Sequence, residues 1–307
     1  MLAIKTLAPK SVIFRRVVRL MGAQFEISVV GSDPHWAFGR IDDAITEINR
    51  VEKLLSTFSD GTPINEINRN AGINPVKTTG EIFRLVDRAL KISELTHGAF
   101  DITYYSEKEA INESNVKTAV RQINYQHVVL DADKQTIFLK EKGMRIGLGA
   151  NIRGYAADRA KYILQVQGVS SGVINAGGDL LTWGANPENG PWTIATADPS
   201  QKGLPFANTE LSNLAIATSV NTGKQAVVIN KKYAGTINTK KGFPVSGIKS
   251  VSIVSTCAEL ADAMATPVML MGINAGLYLI NQLNQLACII IDDHDRTYTS
   301  KDISITN

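Results

Sequence analysis

The chain has 307 residues, with 32 Lys and Arg against 29 Asp and Glu, and a net charge of +3 is too small to argue for a nucleic-acid partner. An apolar share of 44% with 20% charged residues excludes wholesale disorder. No apolar run approaches the ~18 residues of a membrane-spanning helix.

The basic excess gathers early, because Lys5, Lys10, Arg15, Arg16 and Arg19 all precede the first acidic residue, Glu26. This stretch has no apolar core followed by a small-residue cleavage site, so it is not an intact signal peptide. Residues 1–20 read as a basic N-terminal arm, either solvated or left over from a trimmed export signal. Nothing in 21–307 reads as a linker, and one domain is expected there.

A strand is expected over Phe25–Val30, closed by the turn residues Gly31 to Pro34. An amphipathic helix follows, with Ile41, Ala44, Ile45, Ile48, Val51 and Leu55 on one face. Thr78 and Glu81 read as a capping box for a second helix, which buries Ile82, Leu85, Val86 and Ala89 and stops by Gly98. Short strands fit His127–Leu130 and Thr136–Lys140, and a helix runs through Tyr155, Ala156, Ala160, Ile163 and Leu164. Further strands fit Gly172–Asn175, Trp192–Thr196, Gln225–Asn230 and Lys249–Val254. Thr256 and Glu259 suggest another capping box, opening a helix that Pro267 kinks or ends. A helix around Leu277–Leu283 and the strand Ala287–Ile291 close the chain. This order lacks a regular βαβ rhythm and points to an α+β domain with mixed sheets and flanking helices. Cys257 and Cys288 lie in apolar segments without a C-x-x-C and are expected as buried thiols.

Several familiar signatures fail their structural context. Gly168-Val-Ser-Ser-Gly172 matches G-x-S-x-G, but the expected order is helix, turn, strand, the reverse of a nucleophile elbow. Gly147-Leu-Gly149 lacks the third glycine of a dinucleotide fingerprint, since Ile152 occupies that place. The four histidines show no ligand spacing.

Three other features carry more chemistry. Asp262 and Thr266 stand four apart on one helix face, and with a carbonyl freed by Pro267 they would make a hard-oxygen set for Mg²⁺ or Ca²⁺. Taken alone, the pair fits an exposed Asp and a Thr bonded to its own helix better. The stretch Gly147–Gly154 opens a helix with Arg153 in its first turn, which suits a phosphate. Asn175-Ala-Gly-Gly-Asp179 would let a planar ligand approach the backbone, with Gly177 and Gly178 at the closest point. Each cluster alone is a turn; together they favour a nucleotide diphosphate with Mg²⁺.

In this order the motifs resemble the ApbE family of FAD:protein FMN transferases over nearly the whole chain. The resemblance rests on Met21-Gly-Ala23, Ser56-Thr-Phe58, Gly98-Ala-Phe-Asp-Ile-Thr103, Gly149-Ala-Asn-Ile-Arg-Gly-Tyr155, Asn175–Asp179, Ala217-Thr-Ser219, Lys241-Gly-Phe-Pro-Val245 and Ala261-Asp-Ala-Met-Ala-Thr266. It implies transfer of FMN from FAD to a threonine of an acceptor flavoprotein, with Mg²⁺ assisting and AMP released. Arg153 and Asp262 would serve the chemistry. Mg²⁺ would be held by Asp262, Thr266 and backbone oxygens at Ala150 and Ala265. FAD would run past Met21, Phe58, Ala99, Phe100, Asp101, Arg153, the Gly177–Gly178 turn and Thr236, with Phe58 the candidate for stacking. The family resemblance also implies a periplasmic or cell-envelope location.

The departures cluster at the expected chemistry. Where the family has H-x-I-D-P-x-T-G-x-P, this chain has Gly235 for the histidine, Asn238 for the aspartate and Lys241 for the threonine. Gly147 replaces an aspartate, Arg153 a lysine and Val220 a glycine. Loss of a general base costs ~10²–10⁴-fold in rate, so a slow transferase is expected. A non-catalytic FAD-binding paralogue and an Mg²⁺-dependent FAD pyrophosphatase are the alternatives.

Overall fold

A computed structural model describes residues 11–57, 60–105, 124–149, 152–193, 210–221, 225–228, 231–234, 237–238, 243–244 and 247–301. Its framework is one eight-stranded sheet made of β1 (Val12–Leu20), β2 (Ala23–Gly31), β3 (Gly172–Ala176), β4 (Asp179–Trp183), β5 (Ala215–Val220), β6 (Ile248–Ser255), β7 (Leu286–Asp292) and β8 (Thr297–Thr299). The strands lie in chain order, and each neighbouring pair is antiparallel. The α+β class therefore holds, with the described pairings antiparallel rather than mixed. On β2, Phe25, Ile27 and Val29 alternate into the core, whereas β7 is buried at every position.

Among the described residues the α-helices are α1 (Pro34–Leu55), α2 (Pro63–Arg69), α3 (Gly80–Leu95), α4 (Ile152–Val166), α5 (Ala258–Met271) and α6 (Ile273–Ile280). Asp33 caps α1 by accepting from Trp36 N–H, and Pro34 begins it without an N–H to leave unpaired. Of the expected face, Ile41, Ala44, Ile48, Val51 and Leu55 are buried, while Ile45 at its edge is half-buried. Helices α1, α4 and α5 pack side by side, with α5 lying against β5 and β6.

Several expectations need correction. Val12–Leu20 is not a free arm: it pairs with β2 along its whole length, its Phe14 packs on Phe38 and its Arg16 is ion-paired with Asp42. The cap of α3 is Thr79, not Thr78, and Glu81 bonds Arg50 and the Tyr155 hydroxyl instead. Thr256 does not cap α5 either, since the capping position is Cys257 and its side chain makes no capping bond. Pro267 lies inside α5, which continues to Met271. The last helix spans Ile273–Ile280, ahead of the expected Leu277–Leu283. Of the strand expected over Trp192–Thr196, only Trp192 and Thr193 are among the described residues. The G-x-S-x-G stretch is a helix stop, as expected: α4 ends at Val166 and Gly168 has φ +89°. Both cysteines are free thiols.

Candidate functional site

A cleft of about 200 Å³ opens where the end of β5 meets α5, with Arg153 and Asp179 on its wall. The fold brings these groups together from distant points in sequence. Asp262 and Thr266 stand one turn apart on α5 and face the cleft together. Ser219, near the end of β5, places its hydroxyl 3.2 Å from that of Thr266. Asp179 opens β4, and one of its oxygens accepts from Thr218 N–H at 3.2 Å.

Arg153 reaches the cleft from the first turn of α4. Its guanidinium lies 3.7 Å from Asp179 and 4.0 Å from Asp262. Charge-assisted bonds close at ~2.7–2.9 Å, so both contacts are long ion pairs. The Arg153 Nε is buried with no hydrogen-bond partner. Gly177, at φ +75°, sits over this side chain, and a Cβ there would come within 2.9 Å of Ala23. Only glycine lets the two turns, Met21–Ala23 and Gly177–Gly178, close against each other.

Burial pushes the Asp262 carboxyl up to about 7, and the adjacent Asp179 adds to the rise. Gly154 N–H, donating at 3.0 Å, and Arg153 offset only part of it. Burial raises Asp179 as well, against the pull of Arg153 and Thr218 N–H. Two carboxylates and two hydroxyls thus converge without a closed bond to any described cation. That donor set fits Mg²⁺, which takes one or two carboxylates and completes its shell with water and substrate phosphates. No group of three or more His, Cys, Asp or Glu able to hold a metal exists among the described residues.

The structure therefore gathers Arg153, Asp262, Ala265 and Thr266 around one cleft and sets Gly177 beside Arg153, while Met21 N–H donates to Glu52 at 3.4 Å. It does not gather the Ala99–Asp101 stretch in the same way. Phe100 is in the core, and Asp101 accepts from the Thr103 N–H and hydroxyl and from Tyr125 N–H. Phe58, Ala150 and Thr236 lie outside the described residues, as do Gly235 and Lys241. Asp179 and Ser219 were not among the site residues read from the sequence. The available signal was a carboxylate ending a glycine turn and a hydroxyl in the Ala217-Thr-Ser219 landmark.

A family model described as the ApbE family matches residues 21–290. The chain belongs to the ApbE family. It is 24% identical over 256 residues to the FAD:protein FMN transferase of Klebsiella pneumoniae (strain 342), covering 80% of this chain and 79% of that one. To the FAD:protein FMN transferase of Buchnera aphidicola subsp. Schizaphis graminum (strain Sg) it is 26% identical over 260 residues, covering 80% and 76%. The fold is that of the ApbE protein of Thermotoga maritima, at TM-score 0.77 and 22% identity over 94% of this chain and 97% of that one. The flavin transferase ApbE of Vibrio cholerae gives TM-score 0.74 at 20% identity, with 95% and 98% covered.

Besides Arg153, two departures from the ApbE pattern have described surroundings. Val220 is exposed at the rim of the cleft. A Cβ at Gly147 would lie 3.1 Å from the Tyr104 ring, so the family's aspartate would need that ring to shift.

Proposed function

We propose that this chain is an FAD:protein FMN transferase that uses Mg²⁺ and passes FMN to a threonine of an acceptor flavoprotein. The observation that carries the reading is the cleft itself: Asp262, Asp179, Thr266 and Ser219 converge beside a guanidinium whose buried Nε is unpartnered. Asp262 and Thr266, with backbone oxygens of Ala265 and Ala150, would hold the metal. When bound, Mg²⁺ would neutralise pyrophosphate oxygens and stabilise the departing AMP. Arg153, held in the cleft by long ion pairs to Asp179 and Asp262, would take the remaining phosphate oxygens through a two-point contact. In the net reaction the threonine oxygen bonds to the FMN-side phosphorus, the phosphoanhydride bond breaks, AMP leaves, and the hydroxyl proton is released. Gly235 cannot accept that proton as the family's histidine would, so transfer is slow. Location in the cell envelope belongs to the same reading and rests on the family resemblance.

A second reading, an FAD binder without turnover, is favoured by the substitutions Gly235, Asn238 and Lys241 in one segment. Incubation with FAD, Mg²⁺ and an acceptor domain separates the readings. AMP together with a covalently fluorescent acceptor is the expected result. AMP with free FMN would make the chain an FAD pyrophosphatase, and bound but unconsumed FAD would make it a binder.

A further inference from the structure

The Asp158 carboxylate accepts three hydrogen bonds, none of them from its own helix. It follows Gly154 by four residues on α4, so both project from one face. Both meet α5. Gly154 N–H donates to Asp262 at 3.0 Å, and a Cβ at Gly154 would lie 2.3 Å from the carbonyl oxygen of Ala258. The two backbones therefore touch, and no side chain fits between them. One turn further along α4, Asp158 accepts from Ala258 N–H at 3.0 Å, from Glu259 N–H at 2.8 Å and from the Cys257 thiol at 3.1 Å.

Ala258 and Asp262 are themselves one turn apart. The pairs Gly154–Asp262 and Asp158–Ala258 thus form two rungs between helices running in opposite senses. The N-terminus of α5 has no side-chain cap of its own, so the carboxylate that satisfies its first N–H groups comes from the neighbouring helix. Burial first, and then Asp158, push the Cys257 thiol up to about 12, so it stays protonated and donates to this cap. A slip of α5 by one residue would move Asp262 and Thr266 by ~1.5 Å, beyond the ~0.5 Å within which a productive constellation must be held.

We infer that Asp158 is a positioning residue for the cleft, fixing the axial register of α5 so that Asp262 and Thr266 stand opposite Arg153. This rests on the cation-site reading above. The test uses the full chain and measures how much Mg²⁺ half-saturates the Mg²⁺-dependent component of FAD binding, followed by flavin fluorescence well below the unfolding midpoint. Circular dichroism checks each variant's fold.

In Asp158→Ala the half-saturating Mg²⁺ rises about tenfold or more with a native spectrum, the scale on which outer partners of metal ligands act. Asp158→Asn keeps one acceptor oxygen and falls between that variant and wild type. A lower melting temperature with unchanged Mg²⁺ dependence would reduce Asp158 to an ordinary helix cap and overturn the inference. If Asp158→Ala does not fold, Asp158→Asn decides: a raised Mg²⁺ requirement supports the role, an unchanged one rejects it. Asp262→Ala runs alongside as the control. If it leaves the Mg²⁺ response intact, the cation-site reading fails; if it abolishes the response while the Asp158 variants do not change it, only the positioning role fails.

Discussion

Asp262 and Asp292 are both withdrawn from water, with side chains 9% and 2% exposed, yet their surroundings treat them in opposite ways. Burial alone would raise both. At Asp292 it is outweighed: Arg296 and His294 N–H donate to one oxygen, and the Arg296 guanidinium and Tyr298 hydroxyl to the other, holding the group at about 2. At Asp262 a single backbone N–H and a guanidinium 4.0 Å away leave it at about 7. A buried carboxylate with a full set of donors holds a turn together. One left short, beside a second carboxylate and two hydroxyls, is what the proposed cation site calls for.

Removing the under-paired carboxylate gives the largest expected effect. Asp262→Ala should weaken Mg²⁺-dependent FAD binding by more than about 100-fold, since even outer partners of a metal ligand are worth ~10–100-fold. The melting temperature of the ligand-free variant should hold or rise, because a poorly compensated buried charge is removed. Calorimetric titration and a thermal melt check the two halves. A clear loss of stability with intact binding would place Asp262 in the class of Asp292.

Next in size is a gain of rate. Gly235→His with Asn238→Asp should raise FMN transfer by about 10²-fold if the missing imidazole limits turnover. Initial rates of AMP release in the presence of an acceptor domain measure it. An unchanged rate would mean that the proton leaves by another route.

Arg153→Lys keeps the charge but loses the planar fork, and FAD affinity should fall about tenfold. Equal affinities by fluorescence titration would show that only charge matters at the head of α4.

The smallest effect belongs to Asp292. Its folded pKa lies below the ~3.9 of an unfolded aspartate, so its contribution is fully present above that value and is lost as pH falls towards about 2. Melting temperatures from pH 5 to pH 2 should fall less steeply for Asp292→Asn than for wild type, with the variant already less stable at pH 5. Parallel curves would mean that the turn does not depend on the charge.

The comparison also shows what could be read before the fold was known. Spacing alone put Asp262 and Thr266 on one face of a helix, and the stripe on α1 announced its buried side, because both patterns are local. The glycine turn before Asp179 was legible as a turn, but its carboxylate gains meaning only beside Asp262, 83 residues later. Val12–Leu20 read as an arm because Arg15, Arg16 and Arg19 obscure the inward alternation of Phe14, Val18 and Leu20. The partners that absorb it, Phe38 and Asp42, lie on α1. Thr256 and Glu259 have the spacing of a capping box, yet Asp158 took the capping role and Arg88 took Glu259. In both cases a tertiary contact displaced a local rule.

Asp262, the carboxylate left short of partners, is the proposed cation site. A crystal soaked in Mn²⁺, standing in for Mg²⁺, and examined by anomalous scattering puts this to the test. The expected peak lies ~2.1 Å from an Asp262 carboxylate oxygen and from the Thr266 hydroxyl. A fully occupied Mn²⁺ site elsewhere, with Asp262 still facing only Gly154 and Arg153, would contradict it.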